Sequence, residues 1–227
     1  MVTNRKHARH AAVWQRQGQG AIWSDLCSDP DLLLDEAAPR FKSEVMRHAL
    51  FAMAVMASPA FAACPAPPDH SARLSELIVA AQIAPDERAA RRLSQDMWAL
   101  WADAPDEAAQ ALLDEGMSRR ASYDFLGALE ALDKLVDYCP AYAEGYNQRA
   151  FVNFLRQNFA PALEDLDRAL ALSPRHIAAL SGKALTLMGL GRDAEAQDVL
   201  RSALELNPWL NERHLLKGDQ PVPKTDL

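Results

Sequence analysis

From residue 71 onwards, apolar side chains recur three and four positions apart, in runs separated by prolines and acid-led turns. Leu74, Leu77, Ile78 and Ala81 form one stripe, and Ala90, Leu93, Met97, Leu100 and Trp101 a second. That period predicts helices with one buried face. Pro85 is expected just inside the start of the second helix, where a missing N–H costs nothing. Further along, the stripes lock to a fixed interval. Pro140, Pro174 and Pro208 stand 34 residues apart, and other columns keep the same register: Ala128, Ala162 and Ala196; Leu132, Leu166 and Leu200; Leu135, Ala169 and Ala203; Gly116, Ala150 and Ala184. A small residue on each helix of a hairpin lets the backbones approach while leucines fill the space beside them. Proline ends the second helix and turns the chain into the next hairpin.

With 227 residues, 49% hydrophobic and only nine glycines, the composition suits such a helical, globular chain. The columns resemble the tetratricopeptide repeat family, whose period is 34 residues. The copies run over 109–142, 143–176 and 177–210. In the middle one Tyr146 and Phe159 hold the aromatic positions and Ala150, Ala162 and Ala169 the small ones. The resemblance implies an all-α fold, a right-handed α-solenoid of helix-turn-helix hairpins with helical caps. Residues 64–108 read as an N-terminal arm and a degenerate hairpin that caps the N-terminal end of the stack. Residues 211–227 read as a short capping helix and a flexible tail, with Trp209, Leu210, Leu215 and Leu216 covering the far end.

Stacked hairpins form a concave wall from their first helices. Carried over from the family, the groove positions are Gln110, Leu113, Met117 and Arg120; Glu144, Asn147, Phe151 and Phe154; and Ala178, Ser181, Leu185 and Met188. Some family members clamp a partner's carboxylates with Lys, Asn and Arg, which all donate to oxygen. Here the corresponding places hold Leu113, Met117, Gln148, Ala178 and Gly182, so that clamp is missing. A mostly apolar stripe suits a helix or an extended apolar peptide of a protein partner, with Arg120, Glu144 and Asn147 fixing its orientation. The same phenylalanines would equally serve as core or as a homodimer contact.

Between Ala49 and Ala63 there is no ionisable side chain, and Arg47 stands ahead of the stretch. Fifteen residues are too few for a bilayer, which needs roughly 20 in a helix. The length, Pro59 and the Ala60-Phe61-Ala62 pattern predict a signal peptide over 46–63, cut after Ala62 or Ala63, and hence a periplasmic protein. Residues 1–45 are then a mis-called start or a disordered extension, with Met46 as the first residue. Phe61-Ala62-Ala63-Cys64 also resembles a lipobox, which would make the chain a lipid-anchored scaffold of the cell envelope. After cleavage two cysteines remain, and Cys64 and Cys139 are candidates for a disulfide, for two unpaired thiols, or for lipid at Cys64.

Candidate chemistry is sparse. "SGKALT" lacks the first glycine and the strand of a phosphate loop, and "GQG" at Gly18–Gly20 is one glycine short of a dinucleotide fingerprint. His70, His176 and His214 have no second ligand at metal spacing. Glu164-Asp165-Asp167 reads as a solvated face. From Cys64 onwards 17 basic residues face 25 acidic ones, about −8, which argues against nucleic acid. The expectation is a non-catalytic binding protein without cofactor or metal, touching membrane only through a signal peptide or a lipid at Cys64.

Overall fold

The computed structural model describes residues 63–218, all within the unit Met56–Leu227. The expected leader (46–63, but for Ala63), the extension 1–45 and the tail from 219 lie outside the described residues. Eight α-helices follow one another: α1 (Ser71–Gln82), α2 (Glu87–Trp101), α3 (Glu107–Ala121), α4 (Phe125–Tyr138), α5 (Ala143–Leu155), α6 (Phe159–Leu172), α7 (Ile177–Gly189) and α8 (Asp193–Leu206). A 3₁₀ turn, Asn211–Leu215, closes the described chain, which contains no strand.

Side-chain caps start several helices. Asp86, Asp106 and Asp124 accept the backbone N–H groups of Ala89, Ala109 and Gly127 at 2.7, 2.8 and 3.0 Å, satisfying donors that a helix N-terminus leaves orphaned. Asp86 is the cap of α2, so Pro85 lies one residue before the cap and not inside the helix. The second helices end alike. Cys139, Ser173 and Asn207 donate their N–H groups to the carbonyls of Leu135, Ala169 and Ala203 at 2.8, 2.8 and 3.0 Å, and a proline follows each time.

The hairpins α3–α4, α5–α6 and α7–α8 are the three repeats, stacked in chain order as an α-solenoid. Their small-residue columns are the closest crossings: Ala128, Ala150, Ala162, Ala169, Ala184, Ala196 and Ala203 are all fully buried. At the first crossing even alanine is too large, since a Cβ on Gly116 would fall 2.6 Å from Leu132 Cγ.

Inside each hairpin the turn needs one left-handed residue, and the three sit 34 positions apart: Tyr123 at φ 62°, Gln157 at φ 60° and Gly191 at φ 71°. Only the last is glycine. A non-glycine residue pays roughly 1–2 kcal/mol there, partly offset by glycine's larger entropy loss. Gln157→Gly is therefore expected to stabilise the fold by about 0.5–1 kcal/mol, and Gly191→Ala to cost about 1 kcal/mol. At Gly191 an added Cβ meets nothing within 4 Å, so that loss is conformational. Urea midpoints of the two variants should move in opposite directions.

Two further expectations are corrected. The α1–α2 hairpin does not cap the N-terminal end of the stack; α1 packs on α8, at the far end. Leu77, Ile78, Ala81 and Met97 bury themselves with Ile177 of the third repeat, against Leu206 and Leu210. Polar ties fix the placement: Gln82 Nε2 donates to Glu205 O at 2.7 Å, Asn207 Nδ2 to Ser94 Oγ at 3.0 Å, and Arg213 Nη2 pairs with Glu87 Oε2 at 3.1 Å. The second correction concerns the acidic run on α6. Asp165 is buried, not solvated, and Arg149 grips both its oxygens at 2.9 and 2.6 Å while reaching Asp133 at 2.8 Å, which joins the first two repeats.

Candidate binding pocket

Because the hairpin folds back, the concave wall of the solenoid is partly roofed. A pocket of about 550 Å³ lies there, in the size range of ligand sites. One wall comes from the first helices of the repeats: Arg120 on α3, Asn147, Phe151 and Phe154 on α5, and Ala178, Ser181 and Leu185 on α7. The opposite wall is Glu87, Ala90, Arg91, Ser94 and Trp98 of α2, and residues 207 and 209–212 of the C-terminal segment close the end.

Seven of the expected groove residues therefore meet in one place: Arg120, Asn147, Phe151, Phe154, Ala178, Ser181 and Leu185. Phe151 is 44% exposed there, while Phe154 is half-buried against Phe159, their ring centroids 5.7 Å apart. Five others do not line it. Leu113 and Met117 are core, packed with Ala104, Leu132 and Val152, because the connection between α2 and α3 folds over that part of the wall. Gln110 is used up in the same connection, accepting from Ala104 N at 3.1 Å. Met188 packs against the C-terminal cluster of Leu200, Leu204 and Leu216. Glu144 is 1% exposed and cannot orient a partner.

Glu144 has a structural task that the sequence did not reveal. His176 Nδ1 accepts the Ala179 N–H at 3.3 Å as the cap of α7, which leaves Nε2–H to donate to Glu144 Oε2 at 2.8 Å. Asn147 Nδ2 donates to Oε2 at 3.1 Å and Gln148 Nε2 to Oε1. On its open face the imidazole stacks on Trp101 of α2, centroids 4.2 Å apart and planes 14° from parallel. Tyr142 donates to Trp101 O at 2.9 Å, and burial pushes its hydroxyl well above the ordinary tyrosine range, so it stays a neutral donor.

Arg120 combines contacts of different kinds. Its guanidinium carbon sits over the Phe151 ring, 4.6 Å from the centroid, and it donates to Gln148 Oε1. Burial lowers the guanidinium's affinity for its proton, with the charge of Glu144 opposing. Nearby Glu87 is held below its usual range by hydrogen bonds from Arg91 and then Arg213. Trp98, Glu87 and Trp209 were missed at the sequence level. For Trp98 and Glu87 the signal was an apolar α1–α2 hairpin expected at the N-terminal end of the stack, and for Trp209 its expected place in the cap over the far end.

Cys64 and Cys139 are joined as a disulfide, Cα atoms 5.1 Å apart, across 75 residues of chain. Among the described residues no group of His, Cys, Asp or Glu could hold a metal ion, and no helix is long and apolar enough to cross a membrane.

No family model matches the chain. Over 81 residues it is 36% identical to a TPR repeat-containing protein of Rhizobium etli, a match covering 36% of this chain and 40% of that protein. Over 65 residues it is 42% identical to a tetratricopeptide repeat protein 36 homolog of Nematostella vectensis, covering 29% of this chain and 36% of the other. The chain thus spans about two-fifths of the length of these curated relatives. Among solved structures, the first TPR domain of Spaghetti (RPAP3) bound to the HSP90 peptide SRMEEVD is similar at 25% identity and a TM-score of 0.46, over 47% of this chain and 84% of that one.

Proposed function

We propose that this tetratricopeptide repeat protein is a non-catalytic interaction module that holds a peptide segment of another protein in the roofed pocket. The observation that carries this is the convergence of Arg120, Asn147, Phe151, Phe154, Ser181 and Leu185 on one concave space, with Phe151 exposed and Trp98 facing from the hairpin. Apolar side chains of the peptide leave water against Phe151, Phe154 and Leu185, and the preformed walls keep the ordering cost low.

Peptides selected by display against the folded chain test this. Phe151→Ser is expected to weaken their binding roughly tenfold or more, while the urea midpoint changes little, since the ring is nearly half exposed. Unchanged affinity would move the site out of the pocket.

The setting we propose is the periplasm, reached through a leader over 46–63. The Cys64–Cys139 bridge supports it, because such bonds persist in oxidising compartments. The bridge also occupies the sulfur that a lipid would need, which favours a free module over an anchored scaffold. Mass spectrometry of the exported protein should find a free amine at Ala63 or Cys64; an intact residue 1 would remove the export reading.

A further inference from the structure

We infer that the peptide held in this pocket presents a carboxylate side chain to Arg120, with a bulky apolar residue beside it. This rests on the pocket being the binding site. The argument begins with charge. Of the charged residues lining the pocket, Glu87 is already met by Arg91 at 2.6 Å and by Arg213 at 3.1 Å. Arg120 has no ion pair with any described carboxylate. Its nearest opposing charge, Glu144, is engaged by His176, Asn147 and Gln148. A guanidinium has five N–H donors, and Gln148 Oε1 takes one of them. The Phe151 ring on one side and the Gln148 bond limit where the guanidinium can move, and its remaining donors are available to grip a carboxylate with two parallel hydrogen bonds.

The apolar part of the demand is set by Phe151, Phe154, Leu185 and Trp98. Arg120 lies one helical turn beyond Met117, off the positions that the family's clamp uses, so this grip owes nothing to that clamp. Glu212, the pocket's other unpaired charge, sits on the C-terminal segment and not on α3.

The test uses two blocked, fluorescently labelled pentapeptides, acetyl-Ala-Leu-Glu-Phe-Ala-amide and the same peptide with Gln for Glu, titrated into the disulfide-bonded protein at low and at high salt. The Glu peptide is expected to bind at least roughly tenfold more tightly, a difference that shrinks with salt. Arg120→Gln should abolish the preference, Arg120→Lys should keep part of it, and Glu212→Gln should not reduce it. Equal affinities, no binding by either peptide, or a preference that survives Arg120→Gln in a variant with an unchanged urea midpoint would overturn the inference. Display-selected peptides separate the two failures. If they depend on Phe151 but carry no acid, the pocket stands and the acid falls; if they ignore Phe151, the pocket reading falls as well.

Discussion

Replacing His176 with alanine is expected to destabilise the fold by about 3–5 kcal/mol, read from the urea midpoint. The side chain is fully buried, and so is its partner Glu144. Its removal would leave a carboxylate away from water with only the two neighbouring amides of Asn147 and Gln148 as donors. It would also uncap α7, a loss of about 1 kcal/mol by itself, and take the stacking partner from Trp101. The asymmetry is diagnostic: breaking a buried pair costs far more than replacing both members. The double variant Glu144→Leu with His176→Leu should therefore recover much of the loss. A cost under about 1 kcal/mol for His176→Ala would mean that this network does not hold the hairpin to the repeats.

Reducing the Cys64–Cys139 bridge is expected to cost about 4 kcal/mol, from the chain entropy released by a loop closed across 75 residues. The loop contains α1, α2, α3 and α4, so the bridge restrains both the roofing hairpin and the first repeat in the unfolded chain. Cys139 is 2% exposed at the end of α4, and Cys64 packs against the same core as Leu113 and Tyr142. Cys64→Ala should reproduce the effect of reductant on the wild type and be insensitive to reductant itself. The slope of the urea transition should rise as the unfolded chain exposes more surface. Identical midpoints with and without reductant would show that the bridge carries no stability.

The repeat register was fully legible because each small column has a local cause. A residue 34 positions on occupies the same crossing in the next hairpin, so the buried alanines, the prolines and even the left-handed turn residues at 123, 157 and 191 follow from one period. The groove was legible only in part. Phe151, Ser181 and Leu185 line the pocket, because α2 stands across from the middle of the wall and leaves a space between them. Leu113 and Met117 looked equivalent by register, yet Ala104 and Tyr142 cover them. His176 looked like a lone polar residue, because the carboxylate it meets is 32 residues away and the indole it stacks on 75.

The sequence by itself determined the helices, their order, the three hairpins and the side of each hairpin that faces its neighbour. Those depend on contacts within one repeat or between adjacent ones, and a short periodic pattern encodes them. Only the tertiary structure decided where the non-repeating α1–α2 hairpin goes. Its apolar stripe announces that a face must be covered but carries no address. Ile177, Leu206 and Leu210 supply the covering surface from the other end of the chain. That long-range docking turns an open concave wall into a pocket and brings Trp98 and Glu87 to face Arg120 and Phe151.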